Sequence, residues 1–487
     1  MYQARIKIAL FYLISAIFIL LNAFFLVKKH SMIINALPIA FFIIMLAVFA
    51  FDTLLFLVVF FTPLSMQLSE IMPGLPVDMS LPTEPLLFGI LLIFIMKCIA
   101  GGNFDKKFLT HPVSLAIYFS IFWIFLTSLT SSIPLVSIKF FVSRIWFIVG
   151  FYLITSILFE NGKNIEKFIW LYTIPLLIVI FYTINRHLGY GLWDKQAANF
   201  VPKPFYNDHT AYGAALAMYL PFLFGFSFTK IYSPGLKIFV RIVLGILILG
   251  LILSYARAAW LSMIVAFAVW IFMRLKLRFK PLFITLCITV TLVLTFQTQI
   301  LMYLERNNTE SSANLGEHIS SMTNISSDAS NLERINRWSC AIRMFEDKPI
   351  LGWGPGTYMF NYAGYQLTNE RTIISTNSAD GGNAHSEYLG PMAESGIMGL
   401  ITFLILISVV SYTAVHTYTR TNDKRLKTLV MSALLGLFTY FIHGTMNNFL
   451  DTDKLSVPFW GFTAIIVVLD LHTKKVAQAE TEAKKLS

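Results

Sequence analysis

Apolar positions in this chain come in long runs rather than in alternation. Runs of bilayer length lie near 8–27, 113–130, 140–158, 168–185, 209–228, 238–253, 258–273, 281–300, 397–415, 428–446 and 457–471, with weaker ones at 33–50, 53–66 and 86–100. A hydrocarbon core about 30 Å thick needs roughly 20 apolar helical residues. The pattern therefore predicts an all-α integral membrane protein with about 12–14 transmembrane helices. Pro38, Asp52 and Pro63 interrupt the Ile33–Met66 region, which reads as one span or a short hairpin. One polar stretch, 301–395, is too long for a simple connector. The chain thus divides into N-terminal transmembrane helices at 1–300, a large outer loop at 301–395, C-terminal helices at 396–472 and a tail at 473–487.

Composition agrees with this reading. The 487 residues are 56% hydrophobic and 13% charged, where a soluble domain carries about 25% charge. The 8–27 run is long for a signal-peptide core and lacks a small-x-small cleavage site, so it reads as a retained helix. Cations cluster at Arg274–Lys280, Arg420–Lys427 and Lys474–Lys485. With alternating spans these clusters share one side, which the positive-inside rule makes cytoplasmic. Segments 186–208 and 301–395 then face outward. The pair Lys28-Lys29 falls on the outer side and runs against the rule. Orienting loops account for most of the net charge of +11. No basic, aromatic-interleaved domain exists, so nucleic acid is excluded as a partner. Cys98, Cys287 and Cys340 form no metal-ligand spacing and no disulfide framework.

The outer loop has its own organisation. Residues 305–333, rich in Asn, Ser, Thr and Glu, read as a mobile loop. Ile335, Trp338, Ile342 and Phe345 recur at helical spacing and predict a helix over 334–347. Gly352-Trp-Gly-Pro-Gly356 forces turns. A further helix is expected to start near Asn383, a favourable N-cap, and to enter the membrane around Ile397.

Several residues in or near this loop can carry chemistry. Arg257 lies between two apolar runs, at the outer boundary of the membrane. An arginine there is a functional candidate by default, and a snorkelling anchor otherwise. Arg334 and Arg337 are spaced i, i+3 on one helix face. Two guanidinium forks suit an anion with several oxygens, such as a pyrophosphate; the bland alternative is a solvated face paired with Glu333 and Glu346. His385 falls near the expected helix start, where the helix dipole disfavours an imidazolium, and a neutral histidine can accept a proton. Glu387 and Glu394 are placed to flank or orient it. Asp208 and His209 open the span after an outer loop, as a helix cap or as a wall of the same pocket. Asp451, Asp453 and Lys454 lie in another outer loop without distinctive spacing. No Asp-x-Asp or His/Glu metal cluster is evident, so metal ligands are expected to be none.

The order of these elements is more specific than any one of them. Ser254-Tyr-Ala-Arg257-Ala-Ala-Trp260 precedes a span. Arg337-Trp338 and Asp347-Lys-Pro-Ile-Leu-Gly-Trp-Gly-Pro-Gly356 follow in the loop. Ala384-His385-Ser-Glu-Tyr-Leu389 and Glu394-Ser-Gly-Ile-Met-Gly399 complete the series. This series resembles the bacterial O-antigen ligase and O-antigen polymerase superfamily over roughly residues 200 to 400. The resemblance implies a C-type membrane glycosyltransferase of the bacterial inner membrane, active on the periplasmic side. Its donor would be a glycan on undecaprenyl pyrophosphate, and its acceptor lipid A core or another glycan. Arg257 and one of Arg334 or Arg337 would hold the pyrophosphate, with Arg337 the better match. His385 would activate the acceptor hydroxyl, and no cofactor is called for. Many members carry Ser-Arg-Gly where this chain has Ala256-Arg257-Ala258. Three readings follow: a ligase, a polymerase with the same donor site, and, from another class, a transporter of an anionic lipid or organic anion.

Overall fold

The computed structural model describes residues 2–29, 35–71, 79–102, 105–229, 232–275, 329–368, 370–371, 375 and 382–486. Among them the only sheet pairs two-residue strands, β1 (Met66–Gln67) and β2 (Ser80–Leu81). Two compact units form, Met1–Val58 and Val59–Ser487. The first carries α1 (Tyr2–Lys29), α2 (Ala36–Phe49) and most of α3 (Phe51–Phe61). The Ile33–Met66 region is thus two short apolar helices that part at Ala50. Asp52 sits in the first turn of α3, where the helix dipole favours an acid.

The longer helices of the second unit are α4 (Thr83–Ile99), α5 (Pro112–Leu129), α6 (Pro134–Phe159), α7 (Lys163–Leu188), α8 (His209–Phe228), α9 (Pro234–Leu253), α10 (Arg257–Arg274), α11 (Ala329–Asp347), α12 (Leu389–Arg420), α13 (Lys424–His443) and α14 (Asp453–Leu486). Nine of these, α5 to α10 and α12 to α14, are long and apolar enough to cross a membrane. This is an all-α, multi-pass membrane protein. The span expected at 281–300 and most of the 305–333 loop lie outside the described residues. The last helix continues through position 472 without a break.

At the centre stands α8, packed against α9, α10, α13 and α14. Every residue from Thr210 to Leu223 is buried. Small side chains at Ala211, Gly213, Ala214, Ala215 and Ala217 let neighbours approach closely. At Gly213 the approach demands glycine, because a Cβ would lie 2.6 Å from the Ala256 Cβ. The α9–α10 turn that carries Arg257 therefore closes directly on the first turns of α8.

The predicted loop helix is present as α11, but its buried face is not the apolar stripe. Ile335 and Ile342 are exposed, whereas Asn336, Arg337, Cys340, Ala341 and Met344 are buried. The polar members can be buried because they pair internally: Arg337 with Glu333, and Asn336 Nδ2 with Gln366 Oε1 at 3.2 Å. Cys340, Ala341 and Met344 join Tyr358, Tyr362, Ala384 and Ala393 in a small core. The Gly352–Gly356 turn pins this loop to the spans. Trp353 O accepts from Ser132 N at 2.9 Å, and Gly354 N donates to Glu394 O at 2.7 Å. Gly354 has φ +110°, and a Cβ there would lie 2.0 Å from Ser131 Oγ.

The acidic residues at 451–453 gain meaning only in three dimensions. Asp453 Oδ2 accepts from Ser65 Oγ and Thr83 Oγ1, both at 2.5 Å. Lys454 Nζ donates to Thr62 O and Ser65 O at 2.6 and 2.7 Å. This buried hub ties the start of α14 to the segment before α4, and no sequence spacing could announce it.

Candidate active site

The site forms where α8 begins, the α9–α10 turn closes, α11 crosses and the segment before α12 arrives. Asp208 caps α8: its Oδ1 accepts from Thr210 N, Ala211 N and Thr210 Oγ1 at 2.8, 2.8 and 2.7 Å. The cap reading of Asp208 holds, and it does not exclude the other. Asp208 also lies within electrostatic reach of His209, His385 and His443. His209, one turn before Gly213, faces the same turn and has Arg257 and Arg334 as charged neighbours.

Arg257 is the first residue of α10. The N-cap Ala256 offers no side-chain hydrogen bond to that helix end, so backbone N–H groups and a guanidinium sit together at a positive dipole end. Tyr255 before it has φ +50°, and His385 has φ +47°. They are the two non-glycine residues with positive φ among the described residues, and both border this site. Such backbone costs roughly 1–3 kcal/mol and persists where the surroundings impose it.

What imposes it at His385 is visible. Trp338 Nε1 donates to the His385 carbonyl at 3.3 Å, and His385 N donates to Asn383 Oδ1 at 3.1 Å. The helix expected to start at Asn383 starts instead at Leu389. Ser386 Oγ takes the capping role, accepting from Tyr388 N and Leu389 N at 3.2 Å each. Asn383 makes a local turn that presents the histidine. Neutrality of His385 consequently does not come from a helix dipole. Burial, then Arg337, then Arg334 push its pKa down to about 4, against a weaker opposite pull from Asp208 and Glu333.

Arg334 and Arg337 share a helix but not a role. Arg337 Nε donates to Glu333 Oε1 at 2.8 Å, and Nη1 donates to Asn383 O at 3.2 Å. Its guanidinium lies 5.1 Å over the Tyr362 ring. It is a buried strut beneath the His385 segment. Arg334 is the cation common to His209, His385 and His443, as Asp208 is their common carboxylate.

Glu387 and Glu394 turn elsewhere. Glu387 Oε1 accepts from Tyr440 OH, Phe449 N and Leu450 N at 2.5, 2.8 and 2.9 Å. Glu394 Oε1 accepts from Tyr358 N at 2.9 Å. Both fasten loops to α12. No group of three His, Cys, Asp or Glu side chains among the described residues converges in the manner of metal ligands. Sequence reasoning passed over His443 at the end of α13, and also Trp338 and Asn383 as supports of His385. His443 carried the same signal as His209, a histidine at the end of an apolar run.

Residues 242–404 match the family model described as O-antigen ligase. The matched segment, about a third of the chain, holds Arg257, Arg334, Arg337 and His385 but not Asp208, His209 or His443. An uncharacterized protein of Haemophilus influenzae is similar at 23% identity over 259 residues, covering 50% of this chain. The chain spans 59% of the length of that curated relative.

Proposed function

We propose that this protein is an inverting, metal-independent glycosyltransferase that moves a glycan from undecaprenyl pyrophosphate to an acceptor hydroxyl at the periplasmic face of the bacterial inner membrane. The observation that carries the reading is a buried His385 with Arg337 and Arg334 as its cationic neighbours, next to a His209 that shares Arg334 and adds Arg257, in a segment that matches the O-antigen ligase family model. His385 takes the proton from the acceptor hydroxyl as its oxygen bonds to the anomeric carbon. The bond from that carbon to the diphosphate oxygen breaks, and the diphosphate leaves with the electron pair. Arg334 and the Arg257 helix end meet the growing negative charge. Arg337 acts through structure, holding the segment that presents His385.

Purified protein in detergent, given lipid-linked glycan and acceptor, is expected to form product without a membrane barrier; a transporter would form none. Deleting the gene distinguishes acceptors. Loss of all ligated surface glycan supports lipid A core as acceptor. Retention of single repeat units would instead assign a polymerase with the same donor site.

A further inference from the structure

His443 closes α13 and is 1% exposed. Its Nε2 lies 3.1 Å from Asn447 Nδ2. An amide nitrogen only donates, so Nε2 accepts and the neutral ring carries its proton on Nδ1. That Nδ1 is buried with no hydrogen-bond partner among the described residues, and the same holds for His209 Nδ1 and Asn448 Oδ1. Buried polar atoms are rarely left this way, because each costs about 1–3 kcal/mol. The two histidines belong to helices in close contact: a Cβ on Gly436 of α13 would lie 2.7 Å from Met218 O of α8. The end of α13 is fixed beside the His385 segment, since Glu387 N donates to Gly444 O at 2.8 Å.

The chemistry of the missing partner follows from the neighbours of His443. These are Asp208, Arg334 and His209. A carboxylate sits closest in influence, so a phosphate oxygen is disfavoured at this point while an uncharged group is not. The group must accept from a fixed N–H, and His209, an electrostatic neighbour of His443 with an unpartnered buried Nδ1 of its own, can take a proton in return. A hydroxyl does both. We infer that His443, with His209, forms a subsite for a sugar hydroxyl, and that His443 sets glycan specificity. This rests on the proposed glycosyl transfer. The hydroxyl belongs to the first donor sugar or to the acceptor sugar, and kinetics separate the two.

The test is transfer by wild type, His443→Ala and His443→Asn, with KM and kcat measured separately for lipid-linked glycan and for acceptor. His443→Asn keeps an N–H near the Nδ1 position. His443→Ala is expected to raise KM for one substrate by roughly 5–20-fold, about the worth of one or two hydrogen bonds, with kcat changed much less. His443→Asn should recover part of the loss. Substrates lacking single hydroxyls are then assayed on wild type. One deoxy substrate should be poorer for wild type and show no further penalty with His443→Ala. A shift in donor KM assigns the first donor sugar, and a shift in acceptor KM assigns the acceptor. Unchanged KM for both substrates in folded His443→Ala overturns the inference. If neither variant folds, wild-type indifference to every deoxy substrate overturns it as well. Absence of any transfer by wild type would sink the glycosyltransferase reading instead.

Discussion

His111 and His443 are both buried histidines at the ends of membrane spans, on opposite faces of the molecule. Val113 N donates to His111 Nδ1 at 3.2 Å, and His111 Nε2 meets Asp470 Oδ2 at 3.2 Å. Asp470 in turn takes Lys474 Nζ at 2.6 Å and Thr417 Oγ1 at 3.0 Å. Both ring nitrogens are used, and the network ties α5, α12 and α14 together. On the other face, His443 and His209 each keep one buried nitrogen without a partner among the described residues, and His385 sits on left-handed backbone. The same residue type therefore does two jobs. Where its bonds close within the chain it holds helices; where a nitrogen stays open, at His209 and His443, or the backbone is strained, at His385, lies the site proposed for a ligand.

The largest separation between the two faces is expected at His385. His385→Ala should remove about 10²–10⁴-fold of turnover, the usual worth of a general base, while donor binding and thermal stability persist. Near-normal turnover would falsify the assignment. The pH profile sharpens the point. For His385 as the proposed neutral base, with its pKa pushed down to about 4, the acid limb of activity should lie near pH 4 rather than near 6.5. Arg334→Ala removes a positive neighbour, raises that pKa and should move the limb upward.

Next in size is the contrast between the two arginines of α11. Arg334→Ala should lower transfer on the order of 10²-fold, as loss of a charge-stabilising donor does, and should weaken donor binding with little change in melting temperature. Arg337→Ala should instead destabilise the fold by about 3–5 kcal/mol, because it strands Glu333 in a buried place. Activity would then fall along with stability. If Arg337→Ala melted normally while donor binding collapsed, the two roles would have to be exchanged.

Of the 12–14 spans expected, nine among the described residues have bilayer length, and they were legible, as was the order of the motifs that carry Arg257, Arg334 and His385, because hydropathy and motif order are local properties. The division of labour between Arg334 and Arg337 was not, since i, i+3 spacing places both on one face and says nothing about Glu333, Asn383 or Tyr362. The stripe Ile335, Trp338, Ile342 announced the helix but not its buried face, because α11 buries polar groups that satisfy one another. Asp453 and Lys454 looked featureless because their partners Thr62, Ser65 and Thr83 are more than 360 positions away. Glu387 and Glu394 looked placed to flank or orient His385 by proximity in sequence, yet their oxygens accept from Tyr440 OH and from backbone amides elsewhere.

A smaller effect, and one confined to stability, is expected at the His111 network. Asp470→Asn should cost about 1–3 kcal/mol, since it weakens the bonds to His111, Lys474 and Thr417 without emptying a cavity. Transfer by the folded variant should match wild type. A loss of transfer with an unchanged melting temperature would mean that the closed network also serves the reaction, and the contrast between the two faces would fail.

The smallest expected effect is none at all. Chelation with EDTA should leave transfer unchanged, because guanidinium groups fixed on α10 and α11 supply the positive charge that a divalent ion would otherwise bring. The acidic residues nearest the site are already occupied. Asp208 Oδ1 holds three hydrogen-bond donors at the head of α8, and Glu333 Oε1 holds Arg337 Nε at 2.8 Å. Activity that vanished with chelator and returned with Mg²⁺ or Mn²⁺ would show that these bonds give way to a metal, and would return Asp208, Asp451 and Asp453 to the catalytic account. Unchanged activity leaves the leaving diphosphate to Arg334 and the Arg257 helix end, and makes the open polar face a site built from cations and neutral histidines alone.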